Sequence, residues 1–251
     1  MRFGLILLLA TTVLPRAATA APALDSLTIS IWPDYDRPEA LVIYHFEVAA
    51  TAILPATLEL PLPGSVARPH AVAYLGENEQ LLNADYRYEV RGNEGVLSVT
   101  MPGPKGQVEY YAPLARQGDT RRLRLALTSP LDVAAVSVEV QQPRDAKDLH
   151  TTPTAGETST RADGLTYHRG ALRPVKAGQT LRFELTYDKS GDALTAGQPV
   201  DAAPMIASTP AVIPPTTDAV ETSGDWFYFA AGAVLLVVLL ALWRGRMARP
   251  S

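Results

Sequence analysis

An uncharged stretch near the C-terminus constrains this chain more than any other feature. The eighteen residues 226–243 contain no charged side chain. At about 1.5 Å per residue, a helix of this length reaches roughly 27 Å, close to the bilayer hydrocarbon core of about 30 Å. The sequence therefore predicts one transmembrane helix over residues 226–243.

Aromatic residues at the two ends of this stretch and arginines after it are arranged as is typical of a membrane span. Amphipathic rings favour the membrane–water interface, and arginines stay on the cytoplasmic side. The residues concerned are Trp226, Tyr228, Trp243, Arg244, Arg246 and Arg249. We expect a single-pass protein of the cytoplasmic membrane, with its N-terminal body outside (periplasmic or on the cell surface) and a short basic cytoplasmic tail over 244–251. The lipid bilayer is thus its first expected partner.

The N-terminus has the pattern of a cleaved signal peptide. Arg2 precedes an apolar stretch, and Ala18 and Ala20 provide the small residues that signal peptidase accepts. The alternative, an uncleaved helix, is disfavoured because Pro15 and Arg16 interrupt the apolar stretch. We therefore assign residues 1–20 to a signal peptide. The chain contains no cysteine, which excludes disulfides, thiolate metal sites and lipid attachment through cysteine.

The part of the chain between these two segments is acidic. Residues 21–225 contain 17 of the 22 Lys and Arg and all 26 Asp and Glu, a net charge of −9. Nucleic acids and anionic lipid headgroups are polyanions, so long-range electrostatics oppose their binding. The charge favours proteins, cations or neutral glycans as partners and predicts no binding to nucleic acid.

A proline-rich segment precedes the membrane stretch. Residues 190–224 contain five prolines among Ala, Thr, Ser and Val, without a periodic apolar face. Such a segment buries too little surface to offset its chain entropy, which predicts an extended linker or stalk. The alternative is that Met205, Ile206, Val212 and Ile213 dock on the body as an edge strand.

The body consists of short apolar stretches separated by Gly and Pro, and no window of a dozen residues has a clear helical period. The predicted strands cover residues 27–31, 41–48, 57–62, 70–75, 86–90, 96–101, 107–111, 121–127, 135–140, 165–168 and 181–187. Eleven short strands at this spacing predict an all-β fold made of immunoglobulin-like β-sandwiches.

A weak internal repeat divides this body into two predicted sandwich domains, residues 24–114 and 118–189. In both halves a Gly-Gln pair, expected to form a turn, leads into an alternating strand that ends in tyrosine, Tyr111 or Tyr187. We expect each tyrosine to close a core. The alternative is chance similarity between β-strands, with the body a single larger sandwich.

The candidate ligand-binding residues lie between the first two strands. They are Trp32, Asp34, Tyr35, Asp36 and Arg37. Two prolines bar a central strand here, so a loop is expected. Two carboxylates beside two aromatic rings fit a Ca²⁺ ion or a sugar. The alternative is a rigid turn in which Arg37 pairs with Asp34 or Asp36 and Trp32 caps the core.

Catalytic patterns are weak throughout the chain. The four histidines are scattered, and His45 is expected on a solvated strand face. Asp85, Glu89 and Glu109 form a carboxylate set only if the fold brings them together. We expect no enzymatic activity, no cofactor and no metal site.

The overall plan resembles that of exported bacterial single-pass proteins in which immunoglobulin-like sandwiches stand on a Pro/Thr-rich stalk. The resemblance is architectural and transfers no site residue. The anchor, the stalk, the acidic β body and the absence of a catalytic motif together predict a non-enzymatic binding or assembly protein outside the membrane, expected as an accessory subunit of an envelope complex with a protein of the envelope as partner. The alternative is a carbohydrate- or Ca²⁺-binding surface module that uses the loop Trp32 to Arg37.

Overall fold

The computed structural model describes residues 23–197, and their regular secondary structure consists almost entirely of β-strands. In chain order the strands are β1 (Ala23–Pro33), β2 (Glu39–Val48), β3 (Ala56–Pro63), β4 (Ala71–Leu75), β5 (Leu81–Asn83), β6 (Tyr86–Arg91), β7 (Glu94–Met101), β8 (Lys105–Pro113), β9 (Ala115–Gln117), β10 (Thr120–Thr128), β11 (Asp132–Gln141), β12 (Lys147–Thr152), β13 (Glu157–Thr160), β14 (Thr166–Leu172) and β15 (Thr180–Asp188). A short 3₁₀ turn follows at Thr195–Gly197.

The strands form three sheets. The largest has eight strands in the order β13-β14-β11-β1-β2-β8-β4-β5. A four-stranded sheet has the order β12-β15-β10-β9, and a three-stranded sheet has the order β3-β7-β6. In the eight-stranded sheet β1 pairs with β11 in parallel, with Leu27 opposite Val136. Through this pairing one sheet extends from the first half of the chain into the second.

Alternation along each strand sets which residues enter the core. In β10, Leu123, Leu125 and Leu127 are buried while the residues between them are exposed. Side chains of a strand point to opposite faces in turn, so this pattern fixes one apolar face. β2 differs because eight of its ten residues are buried, on both faces of the sheet.

The two faces of the eight-stranded sheet have different surroundings. We call the side that carries Tyr44, Phe46 and Tyr110 the inner face, because these side chains belong to the main hydrophobic core. We call the opposite side, which carries Trp32, Leu41 and Ile43, the outer face. The outer-face residues form a small separate apolar cluster. The eight-stranded sheet thus has a core side and a second side of different chemistry.

The main core contains residues from both halves of the chain. It joins Ile31 and Leu60 of the first half to Leu125, Val138 and Leu185 of the second in one cluster. A single contiguous core of this kind favours cooperative unfolding. The division into domains 24–114 and 118–189 stays a prediction.

Strand pairing has the same pattern in the two halves. In the first, β2 pairs with β8 and the intervening β3 pairs with β7. In the second, β10 pairs with β15 and the intervening β11 pairs with β14. The weak sequence repeat therefore coincides with a repeated order of antiparallel pairs.

Two details of the predicted repeat are wrong. Gly178 lies in a turn with φ 81°, but Gly106 lies inside β8, where an added Cβ would overlap the Phe46 ring. Tyr187 is buried as expected, whereas Tyr111 is only partly buried and on the outer face; Tyr110 enters the core in its place. The predicted core residue in this strand is therefore one position away from the residue that the structure buries.

Each predicted strand overlaps an observed one, and four observed strands were missed. These are β5, β9, β12 and β13, which carry no buried residue. They are edge or near-edge strands without an apolar face, so alternation could not reveal them.

The predicted signal peptide (1–20), the transmembrane helix (226–243), the tail (244–251) and most of the linker lie outside the described residues. Residues 190–197 are described and contact the body: Thr195 is 4% exposed. Among residues 23–197, no helix has the length and apolar character needed to cross a membrane.

Candidate functional site

The predicted ligand-binding loop connects β1 to β2, but Trp32 and Pro33 lie at the end of β1 and pair with β2, so the prediction of a loop is wrong for these two residues. Asp34 has a φ of 47°, in the left-handed region, where Asp is better tolerated than bulkier residues. Its backbone N–H donates to the carbonyl of Glu39 at 3.0 Å, and the Glu39 N–H donates to the carbonyl of Arg37 at 2.8 Å. These bonds close the loop on itself and hold its ends together.

The carboxylate of Asp34 points into the protein and is only 2% exposed. It accepts hydrogen bonds from the Tyr187 hydroxyl at 2.7 Å and from Arg116 at 3.2 Å. Arg121 and Lys189 approach it at 4.0 and 3.9 Å. A buried charge needs such partners, because desolvation without them is very costly. Asp34 is therefore part of a buried ion cluster and is not available to a ligand.

The ionisation of this cluster reflects its burial. Desolvation, followed by the hydrogen bond to Asp34, raises the pKa of Tyr187, so this hydroxyl stays protonated and donates. Desolvation also lowers the pKa of Lys189, while the nearby Asp34 carboxylate opposes that shift. The lysine also donates to the carbonyl of Ala193.

The segment that follows β15 forms backbone hydrogen bonds to the loop. The backbone N–H of Thr195 donates to the carbonyl of Asp34 at 3.0 Å, and that of Ala196 donates to the carbonyl of Tyr35 at 2.8 Å. Arg116 also forms an ion pair with Asp192 at 2.6 Å. Residues far apart in the chain thus hold the loop in one conformation.

The remaining loop residues lie on the outer side. Tyr111 donates a hydrogen bond to Asp36 at 2.8 Å, and the Arg37 guanidinium stacks over the Tyr111 ring at 3.6 Å. Tyr35 packs against Trp32 with ring centroids 5.0 Å apart. The expected pairing of Arg37 with Asp34 or Asp36 is replaced by this stacking, and Trp32 packs in the outer-face cluster instead of capping the main core.

Sequence reasoning missed two neighbours of the loop. The His70 ring packs edge-on against Tyr111 at 5.2 Å, and the Glu109 carboxylate accepts from Gln107 at 2.6 Å. Burial raises the pKa of Glu109 above its ordinary value. The alternation of Gln107, Glu109 and Tyr111 in β8 was the signal that could have revealed this polar face.

Three buried polar atoms on the outer face have no hydrogen-bond partner. They are the indole Nε1 of Trp32, the amide Oε1 of Gln107 and the amide Oε1 of Gln141. The other amide groups of these glutamines are engaged, with Glu109 and with Tyr167. Buried polar groups are normally satisfied, so each of these three atoms carries a desolvation cost. All three are shielded from solvent and offer no contact to a molecule at the surface.

His45 corrects another expectation. It lies on the outer face of β2 but is 7% exposed, not solvated. Desolvation lowers its pKa to about 4, so the imidazole is neutral at pH 7. Burial on both faces of β2 explains the difference, because a strand in the middle of a wide sheet has little contact with water.

The other candidate sets do not come together. Asp85 and Glu89 lie at the three-stranded sheet, whereas Glu109 lies in the eight-stranded sheet. Asp34 and Asp36 point to different sides of the loop. Within residues 23–197, no three His, Cys, Asp or Glu side chains are grouped so that they could hold a metal ion.

Comparison with known proteins gives little. No protein-family model matches the sequence, and no curated protein matches it. Among solved structures, two M1 zinc metallopeptidases are similar at TM-scores of 0.41 and 0.42 and 14% identity, one of them from Deinococcus radiodurans. A putative protease from Parabacteroides distasonis has a TM-score of 0.39 and 9% identity.

Coverage of these structures is partial. The matches include 70%, 70% and 69% of this chain but 44%, 44% and 41% of the solved ones. The chain therefore spans less than half the length of those proteins. Such a distant likeness carries no argument about activity.

Proposed function

We propose that this chain is a non-enzymatic binding or assembly protein, tethered to the cytoplasmic membrane with its β body outside. The observation that carries the proposal is the outer side of the loop, where the Arg37 guanidinium stacks over the Tyr111 ring at 3.6 Å. Asp36 and Arg37 are exposed there, and Tyr35 and Tyr111 are partly exposed. A partner can therefore reach these side chains without unfolding any part of the body.

The rigidity of the loop supports this proposal. Asp34 is held by side chains from β9, β10 and β15, so the loop is ordered before any partner arrives. Binding to a preorganised surface avoids the entropy cost of ordering it. The ion cluster is therefore a support for the site and not part of its contact surface.

The chemistry of the loop favours a protein partner. Tyr35, Arg37 and Tyr111 present aromatic and guanidinium groups, which are enriched at the centres of protein–protein interfaces. Asp36 adds a carboxylate at the same place. We infer that the partner is another protein of the cell envelope, to which this chain is an accessory subunit.

The location and the finer fold belong to the same proposal. The uncharged residues 226–243 and the arginines after them motivate a membrane helix with a cytoplasmic tail, and residues 1–20 motivate export. The repeated strand pairing motivates an immunoglobulin-like body of two related sandwiches. Most of residues 190–224 would then connect the body to the membrane.

The proposal is tested on the full chain extracted from its own membranes in mild detergent after cross-linking. We expect a stoichiometric protein partner with the wild type and its loss with Arg37→Glu, which reverses the charge at the loop. Arg173→Glu is the matched control, since Arg173 is also exposed and lies in the second half. Recovery of the wild-type chain without any other protein would contradict the proposal.

A second candidate is a carbohydrate-binding module. The half-buried Tyr35 ring beside Asp36 and Arg37 resembles the aromatic and polar contacts that sugars use. Calcium is disfavoured, because both Asp34 oxygens already accept hydrogen bonds. Calorimetry of the full chain with neutral glycans, compared with Tyr35→Ala, tests this candidate: heat of binding in the wild type alone would favour it over a protein partner.

A further inference from the structure

The strand β6 is a free edge of the three-stranded sheet. Residues Tyr86–Arg91 pair with β7 on one side, and no other described strand pairs with them. A free edge presents unpaired backbone N–H and C=O groups that a further strand can join. The strand contains no proline, which would block such pairing.

One face of β6 is apolar and incompletely covered. Tyr86 and Val90 are 46% and 48% exposed, and Tyr88 between them is partly buried, with its hydroxyl donating to the carbonyl of Val66 at 2.6 Å. Only four large hydrophobic side chains are exposed among residues 23–197, and two of them are on this strand. Apolar surface gathered at an open edge indicates an interaction surface.

The other face of β6 carries exposed charges of alternating sign. Asp85, Arg87, Glu89 and Arg91 follow one another at every second position. Arg91 forms an ion pair with Glu89 at 2.9 Å, as expected for neighbours on one face. Edge charges of a single sign would repel a second strand, but alternating charges can match one that runs in the opposite direction.

The order of these residues is self-complementary. When the strand is placed antiparallel to a copy of itself with Tyr88 opposite Tyr88, Arg87 faces Glu89 and Asp85 faces Arg91 of the other copy. On the apolar face Tyr86 then meets Val90. Moving the centre by one residue in either direction sets Arg87 against itself or Glu89 against itself, which is unfavourable. Charge thus selects one register.

We propose that two copies of this chain associate by pairing their β6 strands antiparallel, centred on Tyr88. The two three-stranded sheets become one six-stranded sheet across a two-fold axis, the commonest symmetry of protein dimers. A second copy fits this edge better than an unrelated strand, because the matching sequence is that of β6 itself. This interface is separate from the loop Trp32 to Arg37 and does not depend on the function proposed for it.

Complementary charge reversals test the pairing by sedimentation of the full chain in detergent. In a dimer of the Arg87→Glu variant, two pairs of carboxylates would face each other across the two-fold axis. In a dimer of the Glu89→Arg variant, two pairs of arginines would face each other. We expect each single variant to associate about tenfold more weakly than the wild type. In an equimolar mixture of the two variants, the mixed dimer has two carboxylates on one strand and two arginines on the other, so both facing pairs are opposite in sign and the mixture should associate about as tightly as the wild type.

The double variant Arg87→Glu with Glu89→Arg supplies the rescue. It exchanges the two charges within one strand, so every facing pair across the axis is again opposite in sign, and we expect it to recover wild-type affinity. Recovery also shows that the substituted strand is folded. Arg173→Glu, a charge reversal at a distant exposed site, should associate like the wild type. A wild-type chain that stays monomeric at every concentration would overturn the proposal, and so would a double variant as weak as either single one.

Discussion

The two faces of the eight-stranded sheet are built from alternate residues of the same strands, yet they differ in how their polar groups are satisfied. On the inner face the hydroxyls of Tyr44 and Tyr110 bond to each other at 2.9 Å, and Tyr44 also donates to the carbonyl of Pro61. On the outer face Trp32, Gln107 and Gln141 keep unpaired atoms. The hydroxyls of the inner face are paired within the core, whereas the outer face also presents exposed side chains at the loop, among them Asp36 and Arg37. Stability therefore resides mainly on the inner face, and we infer that binding uses the outer one.

Neighbouring tyrosines of β8 give the largest contrast between the faces. Tyr110 is fully buried on the inner face, and Tyr111 is partly exposed on the outer face. We expect Tyr110→Ala to lower the free energy of unfolding by about 3–5 kcal/mol, because it leaves a cavity in the core. Tyr111→Ala should cost about 1–2 kcal/mol, from its bond to Asp36 and its stacking with Arg37. Urea unfolding measures both, and equal losses would remove the distinction between the faces.

A substitution in the buried ion cluster should give the second-largest loss of stability. Asp34→Ala removes the carboxylate that faces Arg121 and Lys189, both nearly fully buried, and leaves their positive charges uncompensated. We expect a loss of about 3 kcal/mol in the free energy of unfolding. Asp36→Ala, two residues away on the outer side, is the matched control and should cost about 1 kcal/mol. If thermal unfolding showed the two variants to be equally stable, Asp34 would not support the loop.

The histidine on the outer face predicts a dependence on pH. The folded pKa of His45 is about 4 and its ordinary value is 6.5. Between these values the unfolded chain binds the proton more readily, so the contribution of His45 is fully present above pH 6.5 and is lost as the pH falls towards 4. The pKa of Glu109 is raised by burial, so its effect on stability has the opposite pH dependence and becomes less favourable as the pH rises.

The substitution His45→Leu isolates the contribution of His45 to the pH dependence of stability. From pH 7 to pH 4.5 the wild type should lose about 2 kcal/mol of unfolding free energy more than His45→Leu does. Denaturant unfolding at the two pH values measures the difference, with His150→Gln at an exposed histidine of β12 as the control. Parallel pH profiles for wild type and His45→Leu would show that His45 is accessible to protons in the folded state.

The sequence was sufficient for the strands that carry an apolar face and for the position of the loop. Alternation revealed β10 and β15, but not β12 or β13, which expose most of their residues. The opposite orientations of Asp34 and Asp36 could not be predicted. They depend on Arg116, Arg121 and Tyr187, which reach the loop from positions 82 to 153 residues away in the chain. The alternating charges of β6 are visible in the sequence. Their possible role in strand pairing could not be predicted, because the sequence does not show that this strand lies at a sheet edge.

The most direct test of the central claim combines stability and partner recovery for one outer-face variant, Arg37→Glu in the full chain. Its guanidinium stacks on Tyr111 at the outer side of the loop and contributes little to the core. The account predicts a free energy of unfolding within about 1 kcal/mol of the wild type, together with loss of the cross-linked protein partner. Undiminished partner recovery, or a loss of stability as large as that of Tyr110→Ala, would contradict the assignment of stability to the inner face and binding to the outer face.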